Sequence, residues 1–163
     1  MSQVRGYREK IKGFEELLSI LPLIRQSSSI VWTNGCFDIL HKGHVKHLEE
    51  SSRFGDYLIV GLNSDSSVRE LKGPDKPQMH EDERAEIIAS IGCVDYVLIF
   101  SETSPVRYIQ YFQPDVYSKG GEYNIDTCNQ EERRAIESYG GRILFTGDKV
   151  NSSTRVIAKI RGQ

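Results

Sequence analysis

The chain has few of the features that mark secreted, membrane-spanning or nucleic-acid-binding proteins. Its three cysteines, Cys36, Cys93 and Cys128, are odd in number and lack paired spacing, which argues against a disulfide framework and favours a reducing compartment. No apolar run approaches the roughly 20 residues that a membrane-spanning helix needs. The first residues lack the apolar stretch of a secretory signal. A net charge of -2 gives no reason to expect nucleic acid or an acidic membrane as the main partner. We therefore expect one cytoplasmic protein domain.

Short apolar runs are what the chain does have, and they predict strands. Each run is nearly continuously apolar and too short for a helix, as strands buried on both faces are. The five predicted strands lie at 29–33, 57–63, 94–100, 115–119 and 142–147. Helical patterns separate them, so we predict a Rossmann-like α/β fold: an open, parallel, five-stranded sheet with helices on both faces. The predicted organisation is an N-terminal helical extension over 1–28 and a main domain over 29–163, together one compact unit.

Three local predictions concern helix and loop boundaries. A helix over 12–26 is expected to bend or break at Pro22. Ser104 is a candidate N-cap for a helix that has Pro105 at its first position. Residues 72–80, with two prolines and two lysines, are expected to form an exposed loop.

The stretch TNGCFDILHKGHVKHL, residues 33–48, concentrates chemistry where the first strand leads into a helix. Ligands of open parallel sheets bind at the carboxyl ends of strands. Gly35 permits a tight turn. Gly43 lies at the predicted start of the helix, where the first backbone N–H groups of the helix are free to bind a ligand. His41 and His44, three positions apart, can point the same way and donate hydrogen bonds to phosphoryl oxygens. The position favours a phosphate site over a plain pair of capping histidines.

A metal site is the third interpretation of the same stretch. His47 extends the pattern to three histidines, but residues six apart on a helix are about 120° from alignment, so His41 and His47 do not readily share one ion. The glutamate between the histidines of the metalloprotease motif is also missing. The phosphate fingerprints of dinucleotide-binding and P-loop proteins are absent at this turn, so phosphate would be bound by another scheme.

The motif TNGCFDILHKGH resembles the G-x-F-D-x-x-H-x-G-H signature of the nucleotidyltransferase superfamily, which includes cytidylyltransferases and small adenylyltransferases. The resemblance continues through GDYLIVGLNSD, LKGPDKP, ERAEIIASIGCVDYV, PDVYSKGGEY and NSSTRVIAKI, in the same order. Together these segments are most similar to the D-glycero-β-D-manno-heptose-1-phosphate adenylyltransferase family, in a form without a fused kinase domain. The resemblance implies transfer of AMP from ATP to heptose 1-phosphate with release of pyrophosphate, giving ADP-heptose for lipopolysaccharide or surface glycan synthesis.

The resemblance also implies roles for individual residues. His41 and His44 would stabilise the triphosphate, and Lys72 would bind the α-phosphate or the acceptor phosphate. Arg84, a poor partner for the helix dipole in a first turn, is expected to contact phosphate or a loop. The further nucleotide-binding candidates are Thr33, Gly35, Cys36, Phe37, Gly43, Lys46, Lys119, Gly120, Gly121, Ser152, Ser153 and Thr154. Mg²⁺ is expected with the triphosphate, without assigned ligands, and the family resemblance favours a homodimer.

Several alternatives and departures stay open. Asp38 either orients the turn or helps to hold Mg²⁺, Lys76 is a weaker phosphate candidate, and Lys149 stands near where some relatives have arginine. A CTP-dependent cytidylyltransferase acting on glycerol 3-phosphate or another polyol phosphate has the same chemistry with other substrates. A pantetheine-phosphate adenylyltransferase is disfavoured because Ile39 stands where that group usually has proline. A catalytically silent nucleotide-binding module is the alternative of another class.

Overall fold

A computed structural model of the chain describes residues 6–147. Within them five parallel strands form one sheet in the order β3-β2-β1-β4-β5. The strands are β1 Ile30–Gly35, β2 Tyr57–Asn63, β3 Tyr96–Phe100, β4 Val116–Lys119 and β5 Arg142–Phe145. The helices are α1 Phe14–Ile24, α2 Lys42–Ser52, α3 Asp65–Lys72, α4 Glu81–Ser90, α5 Val106–Phe112 and α6 Gln130–Glu137, preceded by a 3-10 turn at Tyr7–Lys10.

The strand order creates the crevice in which ligands of this architecture bind. The chain builds β1, β2 and β3 in one direction and then returns to place β4 on the other side of β1. The carboxyl ends of β1 and β4 therefore diverge into loops that leave the sheet on opposite faces. The parallel five-stranded α/β fold expected from the sequence is confirmed.

Two apolar cores, one on each face of the sheet, explain why the strands are apolar throughout. Because successive side chains of a strand point to opposite faces, Ile30 and Trp32 join one core while Val31 joins the other. The first core receives α1, α5 and α6 through side chains such as Leu17, Phe112 and Ile136. The second core receives α2 and α4 through Leu48, Ala85, Ile88 and Ala89.

Trp32 and Gly61 form a pair across β1 and β2. Trp32 is fully buried, and its ring stacks on Tyr108 with centroids 6.1 Å apart and planes 3° from parallel. A Cβ added at Gly61 would lie 2.3 Å from Cζ2 of Trp32. Glycine at 61 is therefore needed for the indole to occupy the core.

The N-terminal region packs as part of the same unit. Ile11 forms an isolated parallel bridge with Val97 of β3, and α1 buries Leu17 and Leu21 in the first core. Of the bend or break predicted at Pro22, the break is wrong, because α1 continues through this residue to Ile24. Pro22 removes only one hydrogen bond near the end of the helix, and the buried side chains on either side hold the last turn in place.

Two other boundaries differ from the sequence predictions. Helix α3 was not expected, because DSSVRELK offers only Val68 as a fully buried apolar side chain; its N-cap is Ser64, whose hydroxyl accepts from the Ser67 amide. Lys72 is consequently the last residue of a helix and not a loop residue. Helix α5 begins at Val106 with Pro105 as N-cap, one residue later than predicted. Across residues 6–147, none of the helices has the length and apolar character needed to cross a lipid bilayer.

Candidate active site

The turn between β1 and α2 brings the first candidate residues together. Gly35 ends β1, and a Cβ there would lie 3.1 Å from the Phe37 ring. Phe37 itself adopts a left-handed backbone with φ of 44°, which directs the chain back over the sheet edge. Its ring packs against that of His44 at 5.2 Å. The tight turn thus packs against the first turn of α2.

His41 and His44 form a stacked pair at the N-terminus of α2. Their ring centroids are 3.9 Å apart and the ring planes differ by 22°. His41 is the N-cap, and its Nδ1 accepts the Gly43 amide proton at 3.1 Å. Nδ1 of His44 in turn accepts the His41 amide at 3.4 Å. The capping role is therefore compatible with the ligand role weighed for these residues, because capping uses Nδ1 of each ring and leaves Nε2.

The capping bonds fix which nitrogen of each ring carries the proton. An imidazole nitrogen that accepts from a backbone amide is unprotonated, so the proton of the neutral ring lies on Nε2. Nε2 of His41 is buried and has no hydrogen-bond partner among the described residues. A buried polar atom without a partner requires an explanation, and a bound ligand that accepts its proton is one.

Both rings are held in the neutral form. Burial lowers the pKa of His41 below its usual value, and burial, with His41, His47 and Lys72 nearby, lowers the pKa of His44 to about 4. At neutral pH the pair therefore presents N–H donors without bringing two positive charges into contact. The positive charge for a phosphate has to come from elsewhere in the site.

Lys72 is the candidate for supplying this positive charge. It is exposed at the C-terminus of α3, and its charge adds to the burial that lowers the pKa of His44. Lys72 therefore lies within electrostatic reach of His44. The thiol of Cys36 is itself made less acidic, because burial is the largest influence on it and raises its pKa.

Asp38 fastens the loop that follows Lys72 to the turn after β1. Its Oδ1 accepts the amides of Gln78 at 2.7 Å and Met79 at 3.1 Å, and Lys76 Nζ lies 3.7 Å from Oδ2. Of the two roles left open for Asp38, these contacts favour orienting the turn. Lys76 is engaged in the same attachment.

Arg84 lies inside the protein, against the segments that surround the site. Its side chain is completely buried, and its guanidinium donates to the carbonyl oxygens of Cys36, Asn63 and Met79 and to the Asp65 carboxylate. Cys36 directly follows β1 and Asn63 ends β2. Asp65 begins α3, and Met79 lies in the loop after α3. Of the phosphate or loop contact expected from the sequence, the bond to Met79 is the loop contact, and Arg84 joins the segments that surround the site.

Lys119, Gly120 and Gly121 follow β4 on the other side of the crevice. Lys119 Nζ lies 2.6 Å from the Glu132 carboxylate and 4.9 Å from the ring centroids of Tyr117 and Tyr123. Its charge is thus neutralised within the protein, which leaves the backbone at Gly120 and Gly121 as the part of this segment able to contact a ligand.

The remaining candidates vary in position. Thr33 is buried, and its hydroxyl contacts His47 at 2.9 Å. Lys46 is exposed on α2, with its ammonium 3.8 Å from Glu50. Gly43 is in the first turn of α2. The candidates Ser152, Ser153 and Thr154, with Lys149, lie outside the described residues.

Sequence reasoning missed three groups beside the site. Tyr117 and Glu132 form a network with Lys119, and the Tyr117 hydroxyl donates to Asn34 Oδ1 at 2.7 Å. No local pattern could identify them, since they meet only because β4 lies next to β1. Within residues 6–147 no cluster of three or more histidine, cysteine or acidic side chains could hold a metal ion.

Comparison with known families agrees with this geometry. The family model described as Cytidylyltransferase-like matches residues 32–159. Among solved structures, the lipopolysaccharide core biosynthesis protein from Thermoplasma volcanium superposes with a TM-score of 0.65 and 26% identity, over 76% of this chain and all of that one. The pantoate-beta-alanine ligase of Francisella tularensis, with a TM-score of 0.61 and 12% identity over 88% of this chain and 68% of its own, shows the shared fold alone.

Curated relatives include longer proteins. The bifunctional protein HldE of Geotalea uraniireducens is 48% identical over 93% of this chain, and that of Syntrophotalea carbinolica is 45% identical over 94%. In both cases the match covers 31% of the relative. The chain therefore spans about a third of the length of these proteins.

Proposed function

We propose that this chain, which belongs to the cytidylyltransferase-like family and is a nucleotidyltransferase, transfers AMP from ATP to D-glycero-β-D-manno-heptose 1-phosphate. The observation that carries the proposal is the stacked histidine pair, with the buried Nε2 of His41 lacking a partner among the described residues. A phosphoryl oxygen is the acceptor that this position at a helix N-terminus favours. The solved relative named for lipopolysaccharide core biosynthesis supports a role in making surface glycan precursors.

The chemistry requires little beyond positioning and charge. A phosphate oxygen of the sugar 1-phosphate attacks the α-phosphorus of ATP, the bond to the bridging oxygen breaks, and pyrophosphate leaves. Nε2–H of His41 and of His44 donates to phosphoryl oxygens as their negative charge increases. Lys72 supplies the positive charge, and the turn after β1 holds the pair in place while Gly120 and Gly121 contact the base or ribose through backbone groups.

Mg²⁺ is proposed to enter as part of the ATP complex. The Asp38 carboxylate, the ligand considered from the sequence, already accepts two loop amides and faces Lys76. This arrangement does not fit a metal ligand. Mg²⁺ bound mainly by triphosphate oxygens and water is common, so its site here would be the substrate itself. A cytoplasmic location and a homodimer remain predictions; light scattering of the purified protein tests the second.

A screen of nucleotide and acceptor pairs tests the proposed reaction. Pyrophosphate release is measured with ATP, CTP, GTP and UTP, each against heptose 1-phosphate and glycerol 3-phosphate. We expect the highest kcat/KM with ATP and heptose 1-phosphate. Preference for CTP and glycerol 3-phosphate would refute the assigned substrates, and no turnover with any pair would favour a silent nucleotide-binding module.

Substitution of the histidine pair tests its role. His41→Ala or His44→Ala should lower kcat by roughly 10²-fold, because one preorganised donor to the transition state is lost. His80→Ala is the matched control: His80 caps α4 and is exposed, but lies outside the pair. Near-normal kcat in both site variants, or an equal loss in the control, would contradict the assignment.

A further inference from the structure

His47, one turn beyond the histidine pair on α2, makes two contacts that the reaction does not use directly. Its Nε2 lies 2.9 Å from the Thr33 hydroxyl of β1, and its Nδ1 lies 2.8 Å from the Thr146 hydroxyl just after β5. Both threonines are almost completely buried. A single imidazole therefore joins α2 to the central strand and to the segment that follows the edge strand.

The protonation of this bridge follows from the other contact of the Thr146 hydroxyl. The Thr146 hydroxyl donates to the Lys119 carbonyl at 3.4 Å, so it accepts the proton of His47 Nδ1. His47 Nε2 is then unprotonated and accepts from Thr33. This tautomer is the opposite of that in His41 and His44, which carry their protons on Nε2.

A second contact one turn along reinforces the attachment. The Gly147 amide donates to the Glu50 carboxylate of α2 at 2.8 Å, next to Thr146. Together His47 and Glu50 attach one side of α2 to residues 146–147. We call this set of contacts, made by His47, Glu50, Thr33, Thr146 and Gly147, the α2 clamp.

We propose that His47 is a positioning residue that, through the α2 clamp, sets where the first turn of α2 and its histidine pair lie relative to the ends of β1 and β4. The inference rests on the proposed function, in which His41 and His44 contact the triphosphate. Because α2 is a continuous helix from Lys42, fixing it at His47 fixes His44 one turn earlier. Displacing reacting groups by about 1 Å is enough to reduce turnover by up to roughly 10²-fold.

Thr146→Val provides the cleanest test, since it removes the hydroxyl and keeps the volume. We expect kcat to fall about tenfold with KM for ATP within about twofold, because the displaced donors act mainly in the transition state. His47→Phe, which removes both bonds and keeps an aromatic ring, should lower kcat at least as much. Ser51→Ala is the matched control: the Ser51 hydroxyl donates to the His47 carbonyl and lies 2.7 Å from the Ser118 hydroxyl of β4, so its loss removes another buried attachment of α2 and leaves both imidazole bonds of His47 in place.

The outcomes separate positioning from general loss of stability. Ser51→Ala should destabilise the protein to urea to an extent similar to Thr146→Val while retaining wild-type kcat. If Thr146→Val and His47→Phe keep kcat within twofold of wild type, or if Ser51→Ala loses as much activity as they do, the proposal is overturned.

Histidine NMR tests the α2 clamp without relying on turnover. In ¹⁵N spectra His47 should carry its proton on Nδ1, and Thr146→Val should change that tautomer. The pKa of His44, about 4 in the native protein, should rise in Thr146→Val as water reaches a looser first turn, and should not rise in Ser51→Ala. An unchanged His44 titration in Thr146→Val overturns the positioning role, whereas an inactive native enzyme overturns only the proposed function.

Discussion

Substitution of Arg84 by lysine should destabilise the protein strongly although the positive charge is kept. The guanidinium reaches Cys36 O at 2.6 Å, Asn63 O at 2.8 Å and Met79 O at 3.0 Å while it also pairs with Asp65 at 2.7 Å. A lysine ammonium is a single point and cannot bond acceptors on four separate segments. If it keeps Asp65 and one carbonyl, two buried carbonyl oxygens lose their partners.

The cost follows from the number of lost bonds. Each buried carbonyl without a donor costs about 1–3 kcal/mol, so Arg84→Lys should lower the free energy of unfolding by about 2–6 kcal/mol. This is a large part of the about 5–15 kcal/mol typical of a folded domain. The kcat/KM of the remaining folded protein should also fall, because the loop that follows Lys72 loses its attachment at Met79.

Urea unfolding measures the effect, and a matched control is available nearby. Arg69→Lys makes the same change at an exposed position on α3 and should stay within about 0.5 kcal/mol of wild type. If Arg84→Lys also stays within about 0.5 kcal/mol, the hydrogen bonds described for the guanidinium do not hold the site together and our reasoning is refuted.

Three further predictions concern the sheet, the pH dependence and the loop. Gly61→Ala should cost about 1–3 kcal/mol in urea unfolding because its Cβ would overlap Trp32, whereas Gly92→Ala, with open space around it, should be nearly neutral; equal effects would contradict this packing. Burial lowers the pKa of His47 to about 4, so the unfolded chain binds its proton first and stability is lost as pH falls from about 6.5 towards 4. Between pH 7 and 5 this loss amounts to about 2 kcal/mol of the free energy of unfolding, and it should be absent from His47→Phe. An unchanged dependence of the free energy of unfolding on pH in that variant would count against the lowered pKa of His47. Asp38→Ala should free the loop that follows Lys72 and lower kcat/KM roughly tenfold in steady-state kinetics. An unchanged kcat/KM would disprove this role of Asp38.

The fold was largely predictable because the information is local. Each strand is a short apolar run, and the two-faced burial that such runs predict is found at Ile30, Val31 and Trp32. Helix α3 was missed because it is short and mostly polar, with Val68 as its only fully buried apolar side chain. Pro22 does not interrupt α1, because the tertiary packing of Leu21 outweighs a local preference.

The site was predictable only where spacing along the chain decides geometry. His41 and His44 face the same way because they are three residues apart at a helix start. Arg84 and His47 were not predictable in the same manner, since apart from Met79 the partners of their side chains are 14 to 99 residues away and depend on strand order. An arginine in the acidic first turn of a helix indicates a contact outside that helix, but it does not indicate which carbonyl groups the arginine binds.

Burial of the only tryptophan gives the protein a built-in optical reporter. Trp32 is completely buried, and its indole N–H finds no acceptor among the described residues. Its fluorescence should therefore be emitted at short wavelength from the native core and shift to the red on unfolding, without any added label. Because Trp32 lies in β1, three residues before the turn at Gly35, the same signal follows the strand that supports the histidine pair.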